Sequence, residues 1–306
     1  MILPSQRSET VDFIKAGQNP DGGWGYRPGG ASLVEPSAFS ALALFAGGEL
    51  DAARRGLAFL KSCQSASGSL GLSPTDRTGG WMAYSALLAF HAFGARDEEA
   101  RLVDWALSFS DASSRFTPAD REAIAKTYRY DASIPGWPWT PDTTAWVEPT
   151  SLFIIALIRA GVPPENARIA AGLRLIVDRR VPSGGWNFGN PFMKSHELPA
   201  SPLSTSLALA CLAAANVPED HPAVGAGLRF LEDSLAGDAS AVSLAWAVMA
   251  FRSYRSKDQL VPGLSARLGK LLRADGSFRR NLFESALAFL ALEHMSLVIP
   301  PSRGAV

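Results

Sequence analysis

Two cysteines in 306 residues are too few for a disulfide framework. Cys63 and Cys211 both stand among apolar residues at helical spacing, where a free thiol behaves as a small hydrophobe. An excess of charge of one sign is missing too. The 29 basic residues balance 29 acidic ones, so the positive field that makes nucleic-acid binding strong is absent and nucleic acid is not expected as a partner. No unbroken apolar run approaches the ~20 residues that cross a bilayer; no integral span is expected, and peripheral membrane contact stays open. Residues 1–10 lack a basic head followed by an apolar stretch, which predicts no secretory signal and a cytoplasmic location. Histidine is scarce, with four in all, and none has a metal-type partner at helical spacing. No serine or cysteine stands in a nucleophile elbow, and no Gly-rich loop carries a phosphate-binding lysine.

What the chain does have is an internal repeat: an aromatic or leucine, an aliphatic, three residues, Gln, three residues, Gly, one residue, Trp. Phe13-Ile14, Gln18, Gly22 and Trp24 match it throughout. Phe59-Leu60, Gln64 and Gly68 match with Leu70 in the Trp place, and Leu175-Ile176, Gly184 and Trp186 match with Arg180 in the Gln place. Phe230-Leu231 keeps the front of the pattern, and Gly276 with Phe278 the back. Gly56, Gly172 and Gly227 recur ahead of three copies, so each copy begins inside a helix and runs into a glycine turn closed by an aromatic.

Ala/Leu-rich segments with few charges follow the turns: 37–45, 82–93, 150–159, 205–215, 241–251 and 284–292. Amphipathic segments alternate with them: 7–16, 51–63, 97–109, 165–179, 222–235 and 257–272. A helix apolar all round must be covered on every side, whereas an amphipathic one can lie outside. Six of each in alternation predict an all-α fold of two concentric rings, an (α/α)6 toroid, over residues 1–296 as one domain, with a C-terminal tail at 297–306. Arginines such as Arg54, Arg55, Arg101, Arg168, Arg174 and Arg229 fall on the charged faces and are expected in solvent.

The Gln-x3-Gly-x-Trp element and its upstream aromatic-aliphatic pair resemble the QW motif of squalene-hopene and oxidosqualene cyclases, in the terpenoid cyclase and protein prenyltransferase superfamily. The stretch from Thr140 to Trp146, Thr-Pro-Asp-Thr-Thr-Ala-Trp, is similar to their lead-in to an inner helix. The resemblance spans Phe13 to Leu292 and implies a single toroid with a central, largely apolar cavity. Departures from the family bear on chemistry. The class II acid element Asp-x-Asp-Asp-Thr, laid on 139–143, keeps only the last of its acids, Asp142. The prenyltransferase zinc ligands and the Asp-rich magnesium motif have no counterpart, so neither a metal nor a cofactor is expected.

Glu35-Pro36-Ser37 and Glu148-Pro149-Thr150 form a second repeat, each Glu eleven residues after the Trp of a Gly-Trp pair, Trp24 or Trp137. A proline at the start of a helix is favoured, so both glutamates belong at the N-termini of inner helices and on one rim of the toroid. They are either paired cavity acids or partners of the helix dipole, and the dipole favours the ionised form. Asp142 is either a residual cyclase acid or the N-cap of a short helix before Pro149. Trp24, Trp186 and Trp105 read as structural; Trp81, Tyr84, Trp137, Trp139 and Trp146 read as cavity-lining. His196, in the long 189–202 connection, is a further binding candidate.

Three functions fit these residues. The first is a class II cyclase-like enzyme that protonates an alkene or epoxide of an isoprenoid or other apolar substrate, with Asp142, Glu148 and Glu35 as acids. The second is a non-catalytic toroid that binds a lipid or a protein. The third is a carbohydrate-active α/α toroid using paired acids and stacking aromatics.

Overall fold

The computed structural model describes residues 4–76, 78–237, 239–293 and 297–298. Among them the chain runs through α1 (Pro4–Ala16), α2 (Val34–Gly47), α3 (Leu50–Cys63), α4 (Ala83–Phe93), α5 (Arg96–Ser108), α6 (Pro118–Tyr128), α7 (Val147–Arg159) and α8 (Ala167–Asp178). A two-stranded hairpin of β1 (Phe192–Met193) and β2 (His196–Glu197) follows, then α9 (Pro202–Ala214), α10 (Pro222–Ser234), α11 (Ala241–Phe251), α12 (Val261–Lys270) and α13 (Leu282–Leu292). The Ala/Leu-rich helices α2, α4, α7, α9, α11 and α13 are buried on nearly every side. Each packs on the next, and α13 packs back on α2, so the ring closes. The amphipathic helices lie outside it. Of these, α1 touches α13 and α2, α3 touches α2 and α4, and α12 touches α11 and α13. This is an (α/α)6 toroid.

The repeat is explained by what its side chains bridge. The Gln18 side-chain amide donates to the carbonyls of Gly22 (2.9 Å) and of Ala52 in the next outer helix (2.9 Å). Gln64 does the same one repeat on, to Gly68 (3.3 Å) and Glu98 (3.0 Å). Gly22 has φ of 87°, and a Cβ there would lie 2.6 Å from the Arg55 carbonyl, so only glycine fits the turn. The indole N–H groups of Trp24, Trp137 and Trp186 donate to Ile14, Ala106 and Ile176 carbonyls at 2.6–2.8 Å. Their rings reach to Gly56, Gly172 and Gly227, where a Cβ would come within 2.6–2.8 Å of the indole edge. The recurrent glycine inside each outer helix is therefore the seat of the preceding tryptophan.

Several expectations change. The exposed helix α6 was not foreseen, because none of its residues is buried and it carries no apolar stripe; a Thr117/Asp120 capping box starts it. The segment 257–272 is a 3-10 turn over Arg255–Leu260 followed by α12, whose Pro262 stands in the first helical turn. Arg168 is not solvated: its guanidinium sits 3.8 Å over the Trp137 ring and donates to the carbonyls of Phe109 and Gly136. Burial pulls its pKa down to about 10. Of the 297–306 tail, Leu297 and Val298 are described and buried; the remainder, like His294, lies outside the described residues.

Candidate functional site

The starts of the inner helices are tied together by backbone hydrogen bonds. Val34 N–H donates to Leu72 O (3.0 Å), Trp81 to Trp139 (3.2 Å), Val147 to Phe188 (3.0 Å) and Leu282 to Tyr26 (2.8 Å). In each case the acceptor lies two residues after the aromatic position of the next repeat, that is after Leu70, Trp137, Trp186 and Trp24. The N-termini of α2, α4, α7 and α13 thus form one rim. Glu35 and Glu148, second residues of α2 and α7, both stand on it. The acceptor residues Tyr26, Trp139 and Phe188 supply its aromatic side chains.

Below the rim the side chains of four inner helices share one pattern. The hydroxyls of Ser37, Thr150, Thr205 and Ser285 accept from the backbone N–H of Trp24, Trp137, Trp186 and Phe278 at 2.8–2.9 Å, so that face of each inner helix points outward. Two residues on, about 200° round the helix, Phe39, Leu152, Leu207 and Leu287 point to the axis, and none is more than 5% exposed.

Glu35 is buried there between two phenols. Its Oε2 accepts from the Tyr26 hydroxyl (2.5 Å) and its Oε1 from Tyr84 (2.7 Å). Around this trio Tyr84 stacks with Trp81 at 6.1 Å, and Trp81 meets Trp139 edge to face at 4.8 Å. Phe283 meets both Phe39 (5.1 Å) and Tyr26 (6.1 Å) edge to face. Burial pushes the Glu35 carboxyl up to about 7, against the two phenol donors, which hold it down. The shift runs against the helix dipole, which favours the ionised form. A shift of that size corresponds to about 3 kcal/mol, which exceeds the 0.3–1 kcal/mol usual for a helix-terminus dipole. Both tyrosines are pushed up in turn, by burial first and the neighbouring carboxylate second.

Glu148 heads a second group on the same rim. Its Oε1 accepts from the Ser204 hydroxyl of α9 (2.8 Å), and burial raises its pKa. Trp146 and Phe188 pack 5.7 Å apart beside it, with Phe188 48% exposed. Glu284, in the first turn of α13, is also raised by burial, and its Oε2 is buried with no hydrogen-bond partner.

The other candidates lie elsewhere. Trp137 is fully buried and plays the same part as Trp24 and Trp186, packing a turn rather than lining the rim. Its repeat went unseen because the 110–135 insertion, which contains α6, separates Gly136-Trp137 from α5. Asp142 is neither a buried acid nor a helix cap. It sits in a tight turn with φ of 65°, its side chain 78% exposed and paired with Arg115 at 2.6 Å. Residues 138 and 145 bridge antiparallel across that turn. His196 is exposed in the β1–β2 hairpin, which leans on α6 through Lys194 N–H to Thr127 O (2.6 Å). Tyr26 and Phe283 were missed. Tyr26 was nevertheless marked by spacing, two residues after its repeat's aromatic, as are Trp139 and Phe188. Among the described residues no three His, Cys, Asp or Glu side chains gather as metal ligands.

No family profile matches the sequence, and no curated protein aligns with it significantly. Solved structures do resemble its fold. The apo type II terpene cyclase MstE from Scytonema has a TM-score of 0.59 at 14% identity, covering 95% of this chain and 97% of that one. An α-amylase from Clostridium perfringens gives 0.65 at 10% identity, over 95% and 98%. The GH76A α-1,6-mannanase from Salegentibacter sp. HEL1_6 gives 0.60 at 9%, over 96% and 99%. These likenesses establish the toroid and leave the reaction to the site.

Proposed function

We propose that the protein is a proton-transfer enzyme in which Glu35 is the general acid, acting on an apolar, isoprenoid-type substrate seated against the aromatic rim. The observation that carries this is the buried Glu35 carboxyl, at about 7, clasped by Tyr26 and Tyr84 beside Phe39, Trp81, Trp139 and Phe283. An acid poised near neutrality is matched to protonating an oxygen, so the epoxide of a prenyl chain fits it better than a bare alkene. The aromatic faces supply both apolar contact and attraction for the cation that ring opening produces. The substrate of one solved MstE complex, geranylgeranyl dihydroxybenzoate, belongs to this chemical class.

A second reading, glycoside cleavage, is favoured by Glu148. It is a second raised carboxyl on the same rim, beside half-exposed aromatics of the kind on which sugar rings stack. Two carboxyls with an acid among them are the minimum for that chemistry.

The test is conversion of terminal prenyl epoxides, followed by mass spectrometry. An isomeric cyclic alcohol of unchanged mass is expected. Its rate should fall as pH rises through about 7, since the protonated acid is the active form, and Glu35→Gln should abolish it. No conversion of any epoxide, together with release of reducing sugar from an α-glucan or α-mannan, would replace the first reading by the second. Inertness toward both would leave a binding toroid.

A further inference from the structure

Asp142, displaced from the rim, lines a separate cleft on the outer shoulder of the toroid. Its walls are the serines 67 and 69 after α3, Gly79 ahead of α4, Trp105, Ser108, Phe109 and Ser110 at the end of α5, and Pro141-Asp142, enclosing about 310 Å³. The chemistry of this lining is specific. Four serines and one aspartate line it together with a stacked aromatic pair, Trp105 on Phe109 with centroids 4.7 Å apart.

The cleft is preorganised. Ser65, Ser67 and Ser69 bond to one another through their hydroxyls at 2.7–3.3 Å, and the Ser108 hydroxyl is held by the Trp105 carbonyl at 2.8 Å. Gly79 lies flush with the Trp105 indole, where any Cβ would collide with the ring. Arg115, the cation nearest the acid, is committed to Asp142 by two bonds, one to the side chain (2.6 Å) and one to the backbone carbonyl (2.8 Å). The lining itself therefore carries no basic group to hold an anion.

We propose that this cleft binds a neutral, polyhydroxylated ring, a single sugar residue. Hydroxyls are donors and acceptors at once, so a row of serines can serve the alternating equatorial hydroxyls of such a ring while the exposed edge of the aromatic pair gives apolar contact to its C–H groups. The volume lies at the lower end for small-molecule pockets, which suits one ring. This site is independent of the Glu35 chemistry.

The experiment is a titration of the 15N-labelled full chain with methyl α-D-glucopyranoside and methyl α-D-mannopyranoside, following the Trp105 indole N–H resonance. A saturable shift with a dissociation constant on the order of 1 mM is expected from at least one glycoside. The Ser67→Leu/Ser110→Leu variant alters two exposed serines and should keep the wild-type melting temperature while binding at least about tenfold more weakly. Cyclohexanol, with one hydroxyl on a similar ring, should produce no saturable shift. Absence of a shift with both glycosides, an equal response to cyclohexanol, or full retention in the folded double variant would each overturn the proposal. Because the readout is binding at Trp105, its outcome is separate from whether prenyl epoxides are converted.

Discussion

Replacing Glu35 by glutamine should stabilise the protein, and by an amount that grows with pH. In the folded chain the carboxyl is raised to about 7 by burial, whereas in the unfolded chain it titrates near its ordinary value of 4.5. The native state therefore keeps a proton that the unfolded state releases, so stability is full below about pH 4 and declines as pH rises to about 7. The total loss is about 3 kcal/mol, constant at higher pH. Glutamine copies the neutral acid. Its carbonyl can accept from one tyrosine while its amide donates to the other, so the variant escapes the penalty. The gain should be about 1 kcal/mol at pH 5 and about 3 kcal/mol at pH 8. With an unfolding entropy near 0.6 kcal/mol/K for a chain of this length, the pH 8 gain corresponds to a melting temperature about 5 °C higher. Differential scanning calorimetry of both proteins across pH 4–8 measures this directly. A variant destabilised equally at both ends would mean that Glu35 is ionised throughout and that the phenols bind a carboxylate, which would refute the general-acid argument with it.

Thr150→Val strips the hydroxyl that accepts from Trp137 N–H and leaves that donor buried, so urea denaturation should show a loss of about 1–3 kcal/mol. Gly227→Ala drives a methyl to 2.6 Å from the Trp186 ring and should cost about 1–3 kcal/mol by overpacking; a neutral result would show that the outer helix shifts freely. Asp142→Asn removes one half of an exposed ion pair, and its denaturation midpoint should stay within about 0.5 kcal/mol of wild type, unlike Glu35→Gln at pH 8.

The alternation of apolar and amphipathic helices and the glycine turns were legible in residue order because each reflects local demands: a face to bury, a positive φ to adopt. The Gln-x3-Gly-x-Trp element was visible for the same reason, since its residues bond within one turn or to the next outer helix at a constant offset. Glu35 and Glu148 were legible as helix starts through the prolines that follow them. Their upward pKa shifts were not, because these depend on how much water the finished ring excludes and, for Glu35, are opposed by phenols from Tyr26 and Tyr84, 9 and 49 residues away in the chain. The same limit hid Trp137 as a packing residue, because the 110–135 insertion broke its repeat. It also set Asp142 on the outer shoulder instead of among the acids, since the turn around it takes a left-handed backbone that no helix pattern announces. Sequence alone determined the rings and their order, whose forces act between near neighbours along the chain. Tertiary structure alone decided which carboxyl is buried and which tryptophans stand at the rim instead of packing a turn, because burial is a property of all the helices together.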